Sequence, residues 1–179
     1  MEVIQTLYEG RPDRNADATE DKAYTALEEL HIPFWSVAHD EAYTIADCAA
    51  VEAVLEAEIA KNLFLTNAQK TNFFLLVMPG QKPFKTKELS KQIDSARLSF
   101  AGAEHMKELL GVSPGSVSIM GLLNDTDKRV RLLIDKDVVQ NEWFACHPCR
   151  NTASLKMKTS DLLEKLLPAT GRKAELVEL

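Results

Sequence analysis

The sequence predicts a single mixed α/β domain whose strands and helices follow one another without the regular repeats of a doubly wound parallel sheet. Its 179 residues are enough to bury a hydrophobic core. Of these, 45% are hydrophobic and 27% are charged, as in ordinary globular proteins. Helical apolar spacing and short runs of aromatic and β-branched residues both occur, in irregular order. These observations favour one α/β domain across residues 1–179.

The first forty residues predict an arm, a helix and a strand. Residues 1–18 are polar and are expected to form an irregular arm or a short helix. Asp17 followed by Glu20 has the spacing of a capping box, so a helix should begin there. It should end before Pro33, which disfavours helical backbone in the preceding residue. Residues 33–39 (PFWSVAH) are typical of a strand.

The rest of the chain predicts a hairpin and further short elements. Two apolar runs, residues 61–67 and 71–80, are separated by a short polar turn, which indicates a β-hairpin. Gly111 is expected to end a helix. The other predicted elements are helices at 45–60, 86–93, 104–110 and 159–167, the last capped by Thr159 or Ser160, and strands at 97–101, 117–123, 130–135, before residue 146 and from residue 151.

Composition narrows the cellular context. Apolar stretches such as residues 73–78 are too short to cross a bilayer. Acidic residues at positions 2, 9 and 13 interrupt the N-terminus, unlike a signal peptide. Three cysteines without framework spacing indicate a reducing compartment. We therefore expect a cytoplasmic protein with no membrane partner.

Charge is distributed unevenly along the chain. The net charge of −6 argues against nucleic-acid binding, which depends on Lys and Arg. Residues 1–60 nevertheless carry −11 and residues 61–179 carry +5, so an RNA end could lie on a basic face. The alternative is an acidic, solvated surface without such a role. A local patch of +3, formed by lysines 82, 85, 87 and 91 with Glu88, is either an acceptor-stem contact or a solvated helix flank.

The segment Cys146-His147-Pro148-Cys149 has the C-x-x-C spacing of zinc and thioredoxin-like sites. A structural zinc site needs four ligands, and the remaining Cys and His residues are scattered singly. A thioredoxin-like motif begins a helix early in a βαβ unit, whereas this segment lies near the C-terminus. The sequence therefore predicts no metal site and no redox site here.

Four segments, in order, carry a resemblance to a known family. They are KNLFL (61–65), RLSFA (97–101), LLGVSPGSVS through LLND (109–125) and HPCRNTAS (147–154). Together they are similar to the YbaK/ProX-type prolyl-tRNA editing domain family, and resemble its freestanding alanyl-tRNA(Pro) deacylases. The resemblance implies a mixed α/β sheet, partly barrel-like and flanked by helices.

The resemblance also implies a set of site residues by position. Lys61 is implied as the catalytic residue. By residue type alone, Lys61 would be a solvated strand end, the glycine-rich loop a helix cap and turn, and His147 a buried or turn histidine. The implied substrate-binding residues are Thr44, Asn62, Gly111, Val112, Ser113, Pro114, Gly115, Ser116, His147, Asn151 and Thr152, and no metal or cofactor is implied.

These residue types suit the hydrolysis of an aminoacyl ester. A protonated lysine can polarise a carbonyl or hold a phosphate as a compact charge. Backbone N–H groups of a glycine-containing loop can bind substrate oxygens. An ester is already activated, so no Ser or Cys nucleophile is needed, and the family is thought to use the vicinal hydroxyl of the tRNA to help activate water.

The function implied is a trans-editing hydrolase that deacylates mischarged tRNA(Pro), with alanine as the first candidate. Alanine is smaller than proline, so a synthetase pocket excludes it poorly, whereas a second, size-limited site can remove it. The implied partner is the acceptor end of tRNA(Pro), with prolyl-tRNA synthetase as a second candidate and no DNA. One alternative is a Cys-tRNA(Pro) deacylase, whose loop tends to read Gly-Gly-x-Ser-Pro. The other is a non-catalytic module that binds tRNA or a regulatory partner.

Overall fold

The computed structural model describes residues 1–3 and 5–179, and in this part of the chain the strands form two sheets. The first is antiparallel, in the order β1-β2-β8-β7. The second, in the order β5-β3-β4-β6-β9, pairs β5, β3 and β4 antiparallel and β4, β6 and β9 parallel. The strands are β1 Tyr8–Glu9, β2 Phe34–Ala38, β3 Lys61–Asn67, β4 Phe73–Met78, β5 Leu98–Phe100, β6 Val130–Asp135, β7 Trp143–Cys146, β8 Ala153–Lys158 and β9 Glu175–Val177.

Helices flank both sheets, which confirms the mixed α/β class, although no closed barrel is found in the described residues. No helix in this part of the chain is long and apolar enough to cross a membrane. The α-helices are α1 Ala18–Glu29, α2 Ile45–Leu55, α3 Thr86–Gln92, α4 Ala103–His105, α5 Lys136–Gln140, α6 Thr159–Asp161 and α7 Leu167–Ala169, with π-helical turns at Met106–Leu110 and Leu162–Leu166 and a 3₁₀ helix at Ile119–Asn124.

Helix α1 begins at the predicted cap, but Glu20 does not complete a capping box. The Asp17 carboxylate accepts hydrogen bonds from the backbone N–H groups of Thr19 (3.0 Å) and Glu20 (2.9 Å). The Glu20 side chain instead points into the interior, where it accepts from Arg14 (2.6 Å) and from the Tyr24 hydroxyl (2.8 Å). This buried ion pair fastens the otherwise irregular N-terminal arm to α1.

Helix α2 is shorter than predicted because the chain leaves the helix at Glu56. Glu56 adopts a left-handed conformation (φ 55°), although its N–H still bonds the Glu52 carbonyl. The Glu52 carboxylate then accepts from the N–H of Ile59 at 2.8 Å and holds the returning chain. Directly after this, Ala60 donates to the Ala145 carbonyl (3.0 Å), so the two sheets meet just before β3.

Two other sequence predictions were wrong. Residues 117–123 do not form a strand, because Ser118 caps a 3₁₀ helix by accepting from the Met120 N–H (3.1 Å). The C-terminal helix has no side-chain cap: its N-cap is Lys158, and the buried Thr159 hydroxyl has no hydrogen-bond partner among the described residues. In both places tertiary packing decides the backbone conformation.

The predicted hairpin of β3 and β4 is confirmed, and β4 is buried on both faces. Residues 73, 75 and 77 point into the main core with α1, β7 and β8, whereas residues 74, 76 and 78 pack with α3 and β6. Burial on both faces explains why β4 reads as a continuous apolar run. The hairpin thereby fixes the position of the first residue of β3, Lys61.

Candidate active site

An open cavity of about 310 Å³ lies where the two sheets meet. Its walls come from the N-terminal part of α2 with the residues before it, the start of β3 with the residues before it, the turn after β4, the loop before the 3₁₀ helix and the residue after β7. Five of the site residues predicted from the sequence line it: Thr44, Lys61, Asn62, Gly115 and His147. The fold therefore brings together residues from five separate segments of the chain.

Lys61 supplies the positive charge of this cavity. Its ammonium donates one hydrogen bond, to the backbone carbonyl of Lys82 (2.7 Å), and has no carboxylate partner among the described residues. The side chain of Lys82 is itself neutralised by Asp135 (2.8 Å) and Asp137 (2.9 Å). Lys61 thus keeps N–H donors available for a substrate oxygen.

Asn62, next to Lys61, stabilises this wall of the cavity through its side-chain hydrogen bonds. Its amide donates to the Ala60 carbonyl (3.0 Å), and its side-chain oxygen accepts from the N–H of Ile119 (2.9 Å). These bonds tie the start of β3 to the 3₁₀ helix. Asn62 therefore holds the strand end that carries Lys61.

His147 lines the same cavity, directly after the end of β7, and its side chain is partly buried. Its Nδ1 lies 2.9 Å from the Ala153 carbonyl, and its own carbonyl accepts from the Ser118 hydroxyl at 2.5 Å. Burial lowers the pKa of His147, so the imidazole is neutral near pH 7. It can therefore act as a hydrogen-bond acceptor in the cavity.

The predicted glycine-rich loop is divided between two places. Gly115 lines the main cavity in a left-handed conformation (φ 87°), and a Cβ there would lie 3.0 Å from the Tyr43 ring. Ser116 is buried, and its N–H bonds the Ser113 carbonyl. Residues Gly111, Val112, Ser113 and Pro114 line a separate depression beside Arg150.

Asn151 and Thr152 do not line the main cavity. The buried Asn151 side chain donates to the carbonyl of Ala42 (3.0 Å) and accepts from its N–H (3.1 Å). This pair of bonds fixes the segment that leads into Thr44. The Thr152 carbonyl accepts from the His39 N–H at 3.0 Å, and Thr152 lines a third depression.

Sequence reasoning missed several lining residues. Cys48 and Glu52 follow the predicted Thr44 at intervals of four residues, which is one face of a helix, and this spacing was a usable signal. Tyr43 and Ile45 stand at the rim with 66% and 73% of their surface exposed. These two residues give the cavity an apolar edge.

The cysteines of the C-x-x-C segment lie in the main core. Cys146 and Cys149 are fully buried, and burial raises the pKa of each thiol to about 12. Both are therefore protonated and shielded near pH 7. Among the described residues, no group of three or more His, Cys, Asp or Glu side chains is placed to hold a metal ion.

Among the described lining residues, the cavity combines the Lys61 ammonium, a neutral imidazole, a glycine backbone, apolar surface and the Glu52 carboxylate, which is bonded to the Ile59 N–H. Such a set can hold a small polar molecule, oppose negative charge on an oxygen and leave room for water.

Comparisons with known proteins agree with this chemistry. The family profile described as "Aminoacyl-tRNA editing domain" matches residues 39–165. The chain is 33% identical to "Prolyl-tRNA editing protein ProX" of Acetoanaerobium sticklandii over 153 residues, 86% of this chain and 93% of that protein. It is 28% identical to "Prolyl-tRNA synthetase associated domain-containing protein 1" of Danio rerio over 142 residues, 78% of this chain and 77% of that protein.

The fold is also found among solved structures. A candidate trans-editing enzyme for prolyl-tRNA synthetase superposes with a TM-score of 0.67 at 17% identity, covering 92% of this chain and 98% of that one. This likeness supports the fold alone. Since the profile spans most of the chain, including Lys61, Gly115 and His147, the protein belongs to the aminoacyl-tRNA editing domain family.

Proposed function

We propose that this protein is a trans-editing hydrolase that removes alanine from mischarged tRNA(Pro). The observation that carries the proposal is the Lys61 ammonium, which faces the cavity without a carboxylate partner in the described residues. Family membership supports action on an aminoacyl-tRNA ester, and the relative named as a prolyl-tRNA editing protein supports tRNA(Pro) as the substrate. Such an enzyme acts where translation takes place.

In the proposed reaction, water attacks the ester carbonyl and the oxygen develops negative charge. Lys61 is placed to oppose that charge with an N–H that its single bond to the Lys82 carbonyl leaves available. The backbone of Gly115, which lacks a side chain, allows the substrate to approach the loop closely. The leaving group is the ribose oxygen of the tRNA, whose neighbouring hydroxyl helps to activate the water in the mechanism that the family implies.

Selectivity for alanine rests on size. Ile59 and Val117 contribute branched apolar side chains to the lining, and we propose that they limit the space for the aminoacyl group. A tight wall excludes the proline ring by steric clash, whereas smaller side chains differ by only about 1–3 kcal/mol per methylene. The exposed apolar rim of Tyr43 and Ile45 is proposed to contact the terminal nucleotide.

The test is a deacylation assay with tRNA(Pro) charged with alanine, cysteine, serine or proline. We expect alanine to be removed fastest, serine more slowly, and proline to be spared. A preference for cysteine would move the protein to the Cys-tRNA(Pro) deacylases. Binding of tRNA(Pro) without hydrolysis of any of the four esters would contradict the enzymatic proposal and favour a binding module.

Prolyl-tRNA synthetase is proposed as a second partner. The same assay, repeated with and without the synthetase, measures whether the enzyme acts on tRNA(Pro) by itself. A rate that rises several-fold with the synthetase supports the partnership, and an unchanged rate argues against it.

A further inference from the structure

A chain of hydrogen bonds runs from the cavity into the first sheet. Nδ1 of His147 lies 2.9 Å from the Ala153 carbonyl and 3.2 Å from the Ser154 hydroxyl oxygen. That oxygen lies 2.9 Å from Nε2 of His39, whose Nδ1 lies 2.6 Å from the Asp40 carbonyl. Ser154 is fully buried and His39 is 6% exposed. Of these groups, only His147 reaches the main cavity.

The proton positions in this series of hydrogen bonds follow from which atoms can donate and which can accept. A carbonyl oxygen only accepts, so Nδ1 of His39 and Nδ1 of His147 each carry a proton. A neutral imidazole has one proton, so Nε2 of His39 accepts from the Ser154 hydroxyl. The Ser154 oxygen then accepts from Nδ1–H of His147. Burial lowers the pKa of both histidines, in agreement with neutral rings.

The assignment leaves Nε2 of His147 as an unprotonated acceptor. It has no hydrogen-bond partner among the described residues, and its ring lines the cavity. The alanyl group offers acceptors at its two ester oxygens, and the α-ammonium is the single donor on this part of the substrate. A ring fixed with a lone pair toward the cavity therefore matches that ammonium group, and the other tautomer would repel it.

We propose that Ser154 and His39 are positioning residues that fix the orientation of the Nδ1-protonated His147 ring by supplying a second acceptor for Nδ1–H, so that Nε2 accepts a hydrogen bond from the α-ammonium of the substrate. The tautomer follows from the distances alone, whereas the ligand assigned to Nε2 rests on the proposed function. Loss of the Ser154 hydroxyl would leave the Ala153 carbonyl as the single acceptor for Nδ1–H, and the ring would be less firmly oriented.

The tautomer can be tested without any substrate. In the ¹⁵N-labelled full chain, the protonated and unprotonated ring nitrogens have well-separated chemical shifts, and His147→Asn identifies the His147 signals among the four histidines. We expect the Nδ1-protonated form in the wild type and in Ser154→Ala, because the Ala153 carbonyl remains as an acceptor, with broader His147 ring signals in the variant because the ring is less firmly oriented. Ser36→Ala is the matched control, because Ser36 is equally buried in β2 but donates to the Gly10 carbonyl. A wild-type ring protonated at Nε2 would overturn the proposal.

The positioning role is tested by kinetics on alanyl-tRNA(Pro). Ser154→Ala and His39→Phe should each lower kcat/KM about fivefold to tenfold, the loss of roughly one hydrogen bond. His39→Gln, which keeps an acceptor for Ser154, and Ser36→Ala should stay within about twofold of wild type. With propionyl-tRNA(Pro), which lacks the ammonium, the effect of Ser154→Ala should disappear. Equal losses on both esters, or a Ser154→Ala enzyme as active as the wild type on alanyl-tRNA(Pro), would refute the role. If no ester is hydrolysed at all, the proposed function fails while the tautomer measurement still stands.

Discussion

Lys61 is the residue on which the proposed chemistry depends most, and its surroundings are simple. The Lys61 ammonium donates a hydrogen bond to the backbone carbonyl of Lys82. No carboxylate among the described residues forms an ion pair with this ammonium. The aliphatic part of the side chain starts from the first position of β3, opposite Met78. Replacing Lys61 should therefore change the charge of the cavity more than the packing of the fold.

Lys61→Ala should lower deacylation of alanyl-tRNA(Pro) by about a hundredfold or more, as for loss of a group that stabilises developing charge. Unfolding free energy should fall by only about 1 kcal/mol, because one hydrogen bond is lost. The measurements are single-turnover deacylation and urea unfolding, with Lys173→Ala at an exposed lysine as the control. A Lys61→Ala enzyme of normal activity would remove Lys61 from the catalytic assignment.

Individual cysteines show what a sequence motif leaves open. The spacing of Cys146 and Cys149 is that of a reactive pair, yet both thiols face the main core, and burial raises the pKa of each to about 12. The sequence could not show this, because burial depends on how β7 packs against α1 and β8. Cys48 lines the cavity, where burial and the nearby carboxylate of Glu52 raise the pKa of its thiol.

At the scale of elements, the cavity depends on the close approach of two backbone segments. The turn after β4 passes so near the chain entering β3 that a Cβ on Gly80 would lie 2.7 Å from the Ile59 carbonyl oxygen. Both residues line the cavity, directly beside Lys61. Since the obstacle is backbone, a side chain at Gly80 must displace one of the two segments.

Gly80→Ala should therefore destabilise the protein by about 1–3 kcal/mol, the usual cost of forcing extra volume into a packed position. It should also lower kcat/KM, because the wall that carries Lys61 moves. Gly102→Ala is the matched control: nothing lies within 4 Å of its Cβ position, and a change of about 0.5 kcal/mol or less is expected. The measurements are urea unfolding and deacylation rates of both variants. A Gly80→Ala protein with the same stability and activity as Gly102→Ala would show that the wall adapts to the added side chain.

Elements with strong local signals could be predicted, and elements set by tertiary packing could not. The β3–β4 hairpin follows from two apolar runs and a polar turn, and Gly111 ends its helical segment in a left-handed conformation as expected. Residues 117–123 read as a strand, but Gly121 packs so tightly against Leu110 that a Cβ would lie 3.0 Å away. That contact between distant segments favours a 3₁₀ helix there, and no local sequence pattern predicts the contact.

For the candidate site, the resemblance supplied the residues and the structure supplied their arrangement. Lys61 and His147 face one cavity although 86 positions separate them. The division of the loop, with Gly115 in the cavity and Gly111–Pro114 outside it, depends on how the segment held by Asn151 covers Gly115. Such packing between distant loops produces no recognisable pattern of residue spacing in the sequence.

At the scale of the whole molecule, ion pairs reduce the basic patch of four lysines to a smaller one. Lys82 is neutralised by Asp135 and Asp137, and Lys85 lies 3.6 Å from Glu88. Lys87 and Lys91 are exposed on α3 and have no ion-pair partner among the described residues. Helix α3 follows the cavity residue Gln81 closely in the chain, and we therefore propose that this face meets RNA phosphates that enter with the acceptor end.

Binding of tRNA(Pro) should therefore weaken as salt rises, with the modest slope expected for about two or three phosphate contacts. Reversing both charges, Lys87→Glu with Lys91→Glu, should reduce affinity by about tenfold and lower the salt slope by about two, because each phosphate contact contributes roughly one. Lys173→Glu, at an exposed lysine outside this patch, is the control. Affinities measured by fluorescence anisotropy across a range of KCl concentrations give both quantities. If the double variant and the control bind alike at every salt concentration, α3 is a solvated flank, and the RNA is held by another face.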